Sequence, residues 1–177
     1  ILDADGNEIA NASTVSKHKS VKLEDLSEDC KNAFIASEDR NFYRHNGLNY
    51  GRMIKAAFKN LAAGSFKEGA STISQQLIKN THLSQDKTLR RKLNEIRLTK
   101  QLEQAYSKDD ILEMYLNIIY FGHNCYGLQS AAEFYFNKKA ENLDIAESAT
   151  IVGLLTSPNN YSPFKNPEKS LKRRNIV

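Results

Sequence analysis

The chain has 177 residues, of which 40% are hydrophobic and 26% charged, and its formal net charge is +4. That length suits one domain with a real core, and the composition excludes the collagen-like, low-complexity and disordered classes. The modest positive excess leaves nucleic acid, an anionic membrane and a phosphorylated substrate open as partners.

Two cysteines, Cys30 and Cys125, are too few for a disulfide framework. Cys30 lies at helical spacing from Ala33 and Phe34, so we expect a buried free thiol. The sequence has no zinc-ligand spacing and no run of 18 apolar residues. It starts at Ile1 and stops inside a basic helix, so we expect a piece of a longer protein.

The order of patterns predicts a mainly α fold. Residues 1–26 are expected to form a short β-hairpin around Asp5-Gly6 and a polar connection, and residues 27–177 are expected to form the main domain. The predicted helices start after the cap Ser27, at Tyr50, near Ser71-Thr72, near Lys87, after the cap Ser107, after Gly127, and after Asp144. In the helix after Ser107, Asp110 is expected to complete a capping box and Gly122 to end the helix.

The first helix ends in the stretch ASEDRNFYRHNG. At about 100° per residue, Glu38 falls on the same arc as Phe34 and Ile35, whereas Asp39 points away. A carboxylate on an apolar face is desolvated, and desolvation makes it a stronger base. A core glutamate tied to an arginine is the alternative. We favour a reacting base, with Asp39 holding the following turn.

The stretch GASTISQQLIKN places small and hydroxyl residues at a helix start. Free backbone N–H groups at such a start suit an anion. Gln75 and Gln76 add donors, and Lys79 adds a positive charge one turn further on. An ordinary capped helix with a polar face explains the same pattern.

The stretch KTLRRKLNEIRLTKQLE is densely cationic. Arg91 precedes Glu95 by four residues, which is the weaker orientation for a surface ion pair. Glu95 also shares its arc with Leu98 and Leu102, so we expect a partly buried carboxylate beside Arg91 and Lys92. Those cations favour its ionised form. A solvated helix with surface ion pairs is the alternative.

The helix DDILEMYLNIIYF is apolar almost all round, so we expect it at the centre of the fold. Its polar exceptions, Glu113, Asn117 and Tyr120, are expected to form one stripe. A polar stripe on a buried helix must be satisfied either by a core network or by a ligand.

The helix at Tyr50 combines an apolar arc, which includes Met53, Ile54, Phe58 and Leu61, with cations on the opposite side. This pattern is typical of a basic amphipathic helix that lies on a membrane. A globular helix with a basic outer face explains it equally well.

Five motifs occur in order: Glu38-Asp39-x-x-Phe42-x-x-His45-x-Gly47; Gly69-x-Ser71-Thr72-Ile73-x-Gln75-Gln76-Leu77-x-Lys79-Asn80; Arg91-Lys92-x-x-Glu95 with Leu102-Glu103; Ile111-Leu112-Glu113-x-Tyr115-Leu116-Asn117 with Tyr120-Phe121-Gly122 and Ala131-Ala132; and Gly153-Leu154 with Pro158, Tyr161 and Pro163. Together they resemble the motifs of the peptidoglycan glycosyltransferases, the glycan-polymerising domains of class A penicillin-binding proteins and of their monofunctional relatives. Five motifs in sequence are very specific. The one departure is Thr99, where the family usually has a smaller residue.

The resemblance implies a lysozyme-like, two-lobed domain at the extracytoplasmic face of a bacterial plasma membrane, in a protein with a membrane anchor outside this chain. The smaller lobe, with the amphipathic helix, would partly enter the bilayer. The growing glycan chain would be the donor and lipid II the acceptor. Moenomycin-type inhibitors would occupy the same cleft, and nucleic acid would not be a partner.

The resemblance also implies a role for each motif residue. Glu38 would take a proton from the acceptor hydroxyl, and Glu95 would manage the departing pyrophosphate, with a divalent cation (Mg²⁺ or Mn²⁺) left open as a helper. The substrate and pyrophosphate would be bound by Ser71, Thr72, Gln75, Gln76, Lys79, Lys87, Arg91 and Lys92. The site would be supported by Asp39, Phe42, His45, Glu113, Asn117 and Tyr120.

Three other interpretations stay open at this point. The stretch from Thr72 to Ile96 superficially resembles a DNA-binding helix-turn-helix, but no glycine occupies its turn. A lysozyme-like hydrolase would degrade glycan instead of lengthening it. A catalytically silent membrane-docking module would not need Glu38.

Overall fold

A computed structural model of the chain describes residues 20–63, 70–82 and 88–177. The predicted hairpin around Asp5-Gly6 and the candidate residue Lys87 lie outside these ranges. The described part is mainly α, as predicted. Its helices are α1 (Glu28–Glu38), α2 (Tyr50–Ala63), α3 (Ile73–His82), α4 (Leu89–Ala105), α5 (Lys108–Ile118), α6 (Leu128–Phe136), α7 (Ile145–Leu154) and α8 (Pro167–Arg174). Short 3₁₀ helices cover Leu23–Asp25, Phe42–Arg44 and Ala140–Asn142.

The predicted caps at Ser27 and Ser107 are confirmed, and the helix predicted to follow Asp144 begins there. The hydroxyl of Ser27 accepts the backbone N–H of Cys30 at 3.2 Å and so starts α1. Ser107 and Asp110 form a reciprocal capping box at the start of α5, and Asp144 caps α7. Each cap satisfies N–H groups that have no partner inside the helix.

The prediction that Gly122 ends α5 is wrong. The helix ends at Ile118, because Ile119 is already extended and its carbonyl accepts the N–H of Gly127 at 2.9 Å. Gly122, with φ +88°, lies in the turn that follows.

The core is built around α5, as predicted. Ile111, Leu112, Tyr115 and Leu116 of this helix are completely buried. Helix α5 packs against α3, while α1 packs against α7 and α7 against α8. The two thiols, Cys30 and Cys125, are free and buried, as expected for Cys30. None of the described helices is long and apolar enough to cross a membrane.

The polar residues of α5 bind the segment that precedes α1. The Asn117 side chain accepts the N–H of Val21 at 2.8 Å and donates to the Val21 carbonyl at 3.0 Å. The Glu113 carboxylate accepts the N–H of Leu23 at 2.8 Å. A network within the fold, and not a ligand, therefore satisfies this pair.

The prediction of a three-residue stripe is wrong for Tyr120. This residue follows the end of α5, and its ring packs against Tyr126 with the centroids 4.8 Å apart. Within the described residues, no hydrogen bond joins Glu113, Asn117 or Tyr120 to Glu38 or Glu95.

The loop after α1 is locked against α4 by Gly47. This glycine has φ +84°, and a Cβ atom on it would lie 2.8 Å from the Thr99 methyl and 3.0 Å from Cγ of Glu103. The Gly47 carbonyl accepts the Thr72 hydroxyl at 2.6 Å. One glycine therefore connects the loop, the middle of α4 and the start of α3.

Replacing Gly47 with alanine is expected to lower the free energy of unfolding by about 2 kcal/mol or more, because the new Cβ meets both positive φ and Thr99. Gly51→Ala is the matched control. It lies in α2, where a Cβ meets nothing closer than 3.8 Å, so stability should hold or rise by up to about 1 kcal/mol. Urea unfolding followed by circular dichroism measures both. Equal stability of the two variants would contradict this account of the loop.

Candidate active site

Glu38 is the last residue of α1, and its carboxylate is half-buried. Oε2 accepts a hydrogen bond from Nε2 of Gln76 at 2.9 Å. The Arg52 guanidinium binds the backbone carbonyl of Glu38, not its carboxylate. Among the described residues no cation pairs with this carboxylate. The alternative of a core glutamate tied to an arginine is therefore not what the described structure shows.

Gln76 connects Glu38 to the core. Its Oε1 accepts the hydroxyl of Tyr115 at 3.2 Å. Burial, with the charge of Glu38 as a smaller cause, raises the pKa of Tyr115 well above its usual value. The hydroxyl therefore stays protonated and acts as a donor at any pH at which the protein would work.

Asp39 is completely buried and joins three segments. Its Oδ2 lies 2.8 Å from Nε2 of His45 and accepts the N–H of Ile73 at 3.2 Å. Phe42 is also completely buried, with the ammonium of Lys108 4.5 Å from its ring centroid. Asp39, Phe42 and His45 thus lie in the loop that directly follows Glu38, and their support of a reaction stays a prediction.

The start of α3 is already occupied by side chains of the protein. The N–H of Thr72 donates to Gln75 Oε1, that of Ile73 to Asp39, and that of Gln75 to the Thr72 hydroxyl, each at 3.2 Å. The expectation of free N–H groups for an anion is therefore wrong for these three residues. The Thr72 hydroxyl is likewise taken by Gly47. Ser71 is half-buried and Lys79 exposed, so both stay accessible to a ligand.

Glu95 is buried more deeply than predicted, with a relative exposure of 2%. Oε2 accepts Nη1 of Arg91 at 3.1 Å, and Oε1 binds the ammonium of Lys92. Nε2 of Gln75 donates to Oε1 at 3.1 Å. The predicted pair of cations beside Glu95 is confirmed. We call Gln75, Arg91, Lys92 and Glu95 the Glu95 cluster.

The two carboxylates have opposite surroundings. Glu38 binds a neutral amide and is partly open to solvent, whereas Glu95 is enclosed by two cations. Two cations around one carboxylate leave the Glu95 cluster with a formal charge of +1. A proton acceptor suits the first environment, and an anionic ligand suits the second.

The Glu95 cluster does not fit a divalent cation. Both Glu95 oxygens already bind positively charged groups. Within the described residues, no three histidine, cysteine, aspartate or glutamate side chains come together as a metal site.

A cationic cavity lies at the end of α1, beside Glu38. Its volume is about 510 Å³, and Arg40, Arg52, Lys55 and Arg173 line it. The Arg173 guanidinium reaches Ser37 at 3.4 Å, which brings α8 onto the end of α1. Sequence reasoning missed this cavity, because its residues come from α1, α2 and the C-terminal end of the chain and share no motif spacing.

One face of α2 presents apolar side chains to solvent. Ile54 is 59% and Phe58 70% exposed, and Tyr50 at the helix start is 59% exposed. Met53 is half-buried. The Leu61 side chain lies outside the described part. A large apolar face left open to water is unusual in a soluble monomer and marks an interaction surface.

The transglycosylase family model matches residues 5–177. The chain belongs to the transglycosylase family. It is therefore a glycosyltransferase of the class found in class A penicillin-binding proteins, and the resemblance of its five motifs is confirmed.

The relatives agree with this assignment. The chain is 41% identical over 177 residues to penicillin-binding protein 1F of Bacillus subtilis (strain 168), covering 100% of the chain and 25% of the relative. It is 44% identical over 177 residues to penicillin-binding protein 1A of Neisseria gonorrhoeae, covering 100% and 22%. It is 46% identical over 178 residues to penicillin-binding protein 1A/1B of B. subtilis, covering 100% and 19%. The chain thus spans a quarter or less of the length of these relatives.

Proposed function

We propose that this transglycosylase domain polymerises lipid II into glycan strands by inverting glycosyl transfer, with release of undecaprenyl pyrophosphate. The observation that carries the proposal is the contrast between its two glutamates. Glu38 is an accessible carboxylate held by an amide, and Glu95 is a buried carboxylate that holds two cations. Glycosyl transfer to a neutral hydroxyl with an anionic leaving group needs both environments.

Glu38 acts as the general base. It takes the proton from the 4-hydroxyl of the acceptor sugar while that oxygen attacks the anomeric carbon of the donor. The bond from the anomeric carbon to the pyrophosphate oxygen breaks, and its electron pair leaves with the pyrophosphate. Because attack and departure occur on opposite sides, the configuration inverts.

The Glu95 cluster receives the leaving group. Arg91 and Lys92 offer positive charge to the departing pyrophosphate, and the exposed Lys79 adds another cation from α3. Lys87, which lies outside the described residues, is included because it begins the same cationic stretch of the sequence. Glu95 orients Arg91 and Lys92. It has no proton to donate in this proposal, because a pyrophosphate surrounded by cations needs none to leave. The competing account makes Glu95 a general acid.

The cavity next to Glu38 suits the acceptor. Lipid II carries its own pyrophosphate, and Arg40, Arg52, Lys55 and Arg173 form a concave, positively charged surface of matching chemistry. Arg52 also binds the backbone of Glu38, so this surface and the base belong to one rigid arrangement.

The domain works at a bilayer in this proposal. Residues 27–177 form a lysozyme-like, two-lobed unit whose exposed α2 face enters the extracytoplasmic leaflet of the plasma membrane. That face would bring the cleft to the lipid-linked donor and acceptor. Moenomycin-type inhibitors would bind in the donor part of the same cleft.

Glu38→Gln is expected to keep the fold and to lower polymerisation by about 10²–10⁴-fold, because the amide cannot accept the hydroxyl proton. Lipid II turnover and the length of the glycan products measure the effect. Glu168→Gln, an exposed residue of α8, is the control and should polymerise normally. Near wild-type turnover by folded Glu38→Gln would show that Glu38 is not the base. Shortening of added glycan by the wild type would instead indicate a hydrolase.

Arg91→Ala and Glu95→Gln are each expected to lower turnover by about 10²-fold or more, because both disturb the charge offered to the leaving group. Moenomycin binding should weaken in parallel. Arg97→Ala removes an exposed cation from the same helix and should change neither quantity. If turnover of the wild type falls above neutral pH and this limb vanishes in Glu95→Gln, the general-acid account is correct.

Replacing Met53, Ile54 and Phe58 with serine is expected to lower the partition onto anionic liposomes about tenfold or more, because the apolar contact with the acyl region is lost. Liposome co-sedimentation measures the partition. The control replaces Ile145 and Leu171, which are 64% and 49% exposed on other helices, with serine. Equal loss in both sets would argue against a specific α2 contact.

A further inference from the structure

A line of three polar side chains connects the core to the proposed base. The hydroxyl of Tyr115 donates to Oε1 of Gln76 at 3.2 Å, and Nε2 of Gln76 donates to Oε2 of Glu38 at 2.9 Å. The three residues come from α5, α3 and α1. The line therefore runs through the centre of the fold and ends at the site.

The Gln76 amide has two ends of nearly equal shape and opposite chemistry. Its oxygen only accepts hydrogen bonds, and its nitrogen only donates them. The buried Tyr115 hydroxyl donates to the oxygen, so the nitrogen is the end that faces the Glu38 carboxylate. The reversed amide would place two acceptor atoms against each other.

The ring and the hydroxyl of Tyr115 have different roles in the structure. The ring fills the core, where it is completely buried, and phenylalanine would fill the same space. A buried hydroxyl costs free energy unless it is bonded. The partner that satisfies this one is an amide whose other end reaches the proposed base.

We propose that Tyr115 is a positioning residue that orients the Gln76 amide, so that Glu38 is held through Oε2 and its Oε1 is left to accept the hydroxyl proton. Within the described residues, no hydrogen bond reaches Oε1. This inference rests on the proposed role of Glu38 as base. Gln76 was expected from its motif to bind substrate. In this proposal its amide instead holds the carboxylate of Glu38.

The test is Tyr115→Phe in the full chain, which removes one oxygen and keeps the ring. With lipid II as the probe, kcat should fall about tenfold or more, because the base loses its fixed orientation. KM should stay within about twofold, and the thermal midpoint should fall by no more than about 4 °C. A purely structural role would lower the thermal midpoint without this change in kcat.

Tyr135→Phe is the matched control. The Tyr135 hydroxyl is also bonded inside the fold, to the Phe121 carbonyl at 2.9 Å. It does not belong to the line that ends at Glu38. Loss of the Tyr135 hydroxyl should leave kcat within about twofold of the wild type. If deleting any buried tyrosine hydroxyl lowered kcat, this variant would show a similar decrease.

Gln76→Met removes the amide of the same line, and because it also leaves the Tyr115 hydroxyl without its partner, the thermal midpoint is measured beside kcat. It should lower kcat at least as much as Tyr115→Phe does. If Tyr115 acts only through Gln76, adding Tyr115→Phe to Gln76→Met should cost less than about twofold more. This double-mutant cycle separates positioning through the amide from any independent effect of Tyr115.

Two results would overturn the inference. One is wild-type kcat in folded Tyr115→Phe or in Gln76→Met. The other is a Tyr115→Phe change that lowers kcat by the same factor in the wild type and in the Gln76→Met variant. In either case the wild type still lengthens glycan, so the proposed function stands. A wild type that makes no glycan from lipid II would overturn both proposals.

Discussion

The adjacent amides of Gln75 and Gln76 are the constraint on which the arrangement of the site depends. Neighbouring residues of a helix point about 100° apart. From the first turns of α3, one amide therefore reaches Glu95 on α4 and the other reaches Glu38 on α1. A single helix start thus sets the direction of both carboxylates. Any rotation of α3 would move both at once.

This helix start can do so because its own backbone is satisfied from within the protein. The first N–H groups of a helix have no partner inside it, and leaving them buried without one is costly. Asp39 supplies a carboxylate oxygen to the N–H of Ile73, and Gly47 accepts the Thr72 hydroxyl. The loop that follows Glu38 therefore holds α3 in place. The loop after Glu38 and the start of α3 therefore stabilise each other.

The sequence predicted those features that depend on neighbours within about one helical turn. The caps at Ser27 and Ser107 and the cations beside Glu95 follow from spacings of three or four residues, and the structure confirms them. Central burial of α5 follows from its all-round apolar pattern.

The features that could not be predicted depend on contacts far apart in the chain. Gln76 and Glu38 are 38 residues apart, and Arg173 and Ser37 are 136 apart. Periodicity also showed that the polar side chains of α5 need partners, without showing that residues 21–23 provide them. The periodicity also predicted that the polar stripe includes Tyr120, because the apolar pattern continues beyond the helix end at Ile118.

Thr99, the departure from the family pattern, shows how a local change is absorbed in this arrangement. Its hydroxyl donates to the Glu95 carbonyl four residues earlier at 2.7 Å, so the buried oxygen is satisfied within α4. Its methyl group packs where a Cβ on Gly47 would stand. The Thr99 methyl group thus occupies the space that is left free because Gly47 has no side chain. The Glu95 carboxylate itself contacts Gln75, Arg91 and Lys92, and Thr99 is not among its hydrogen-bond partners within the described residues.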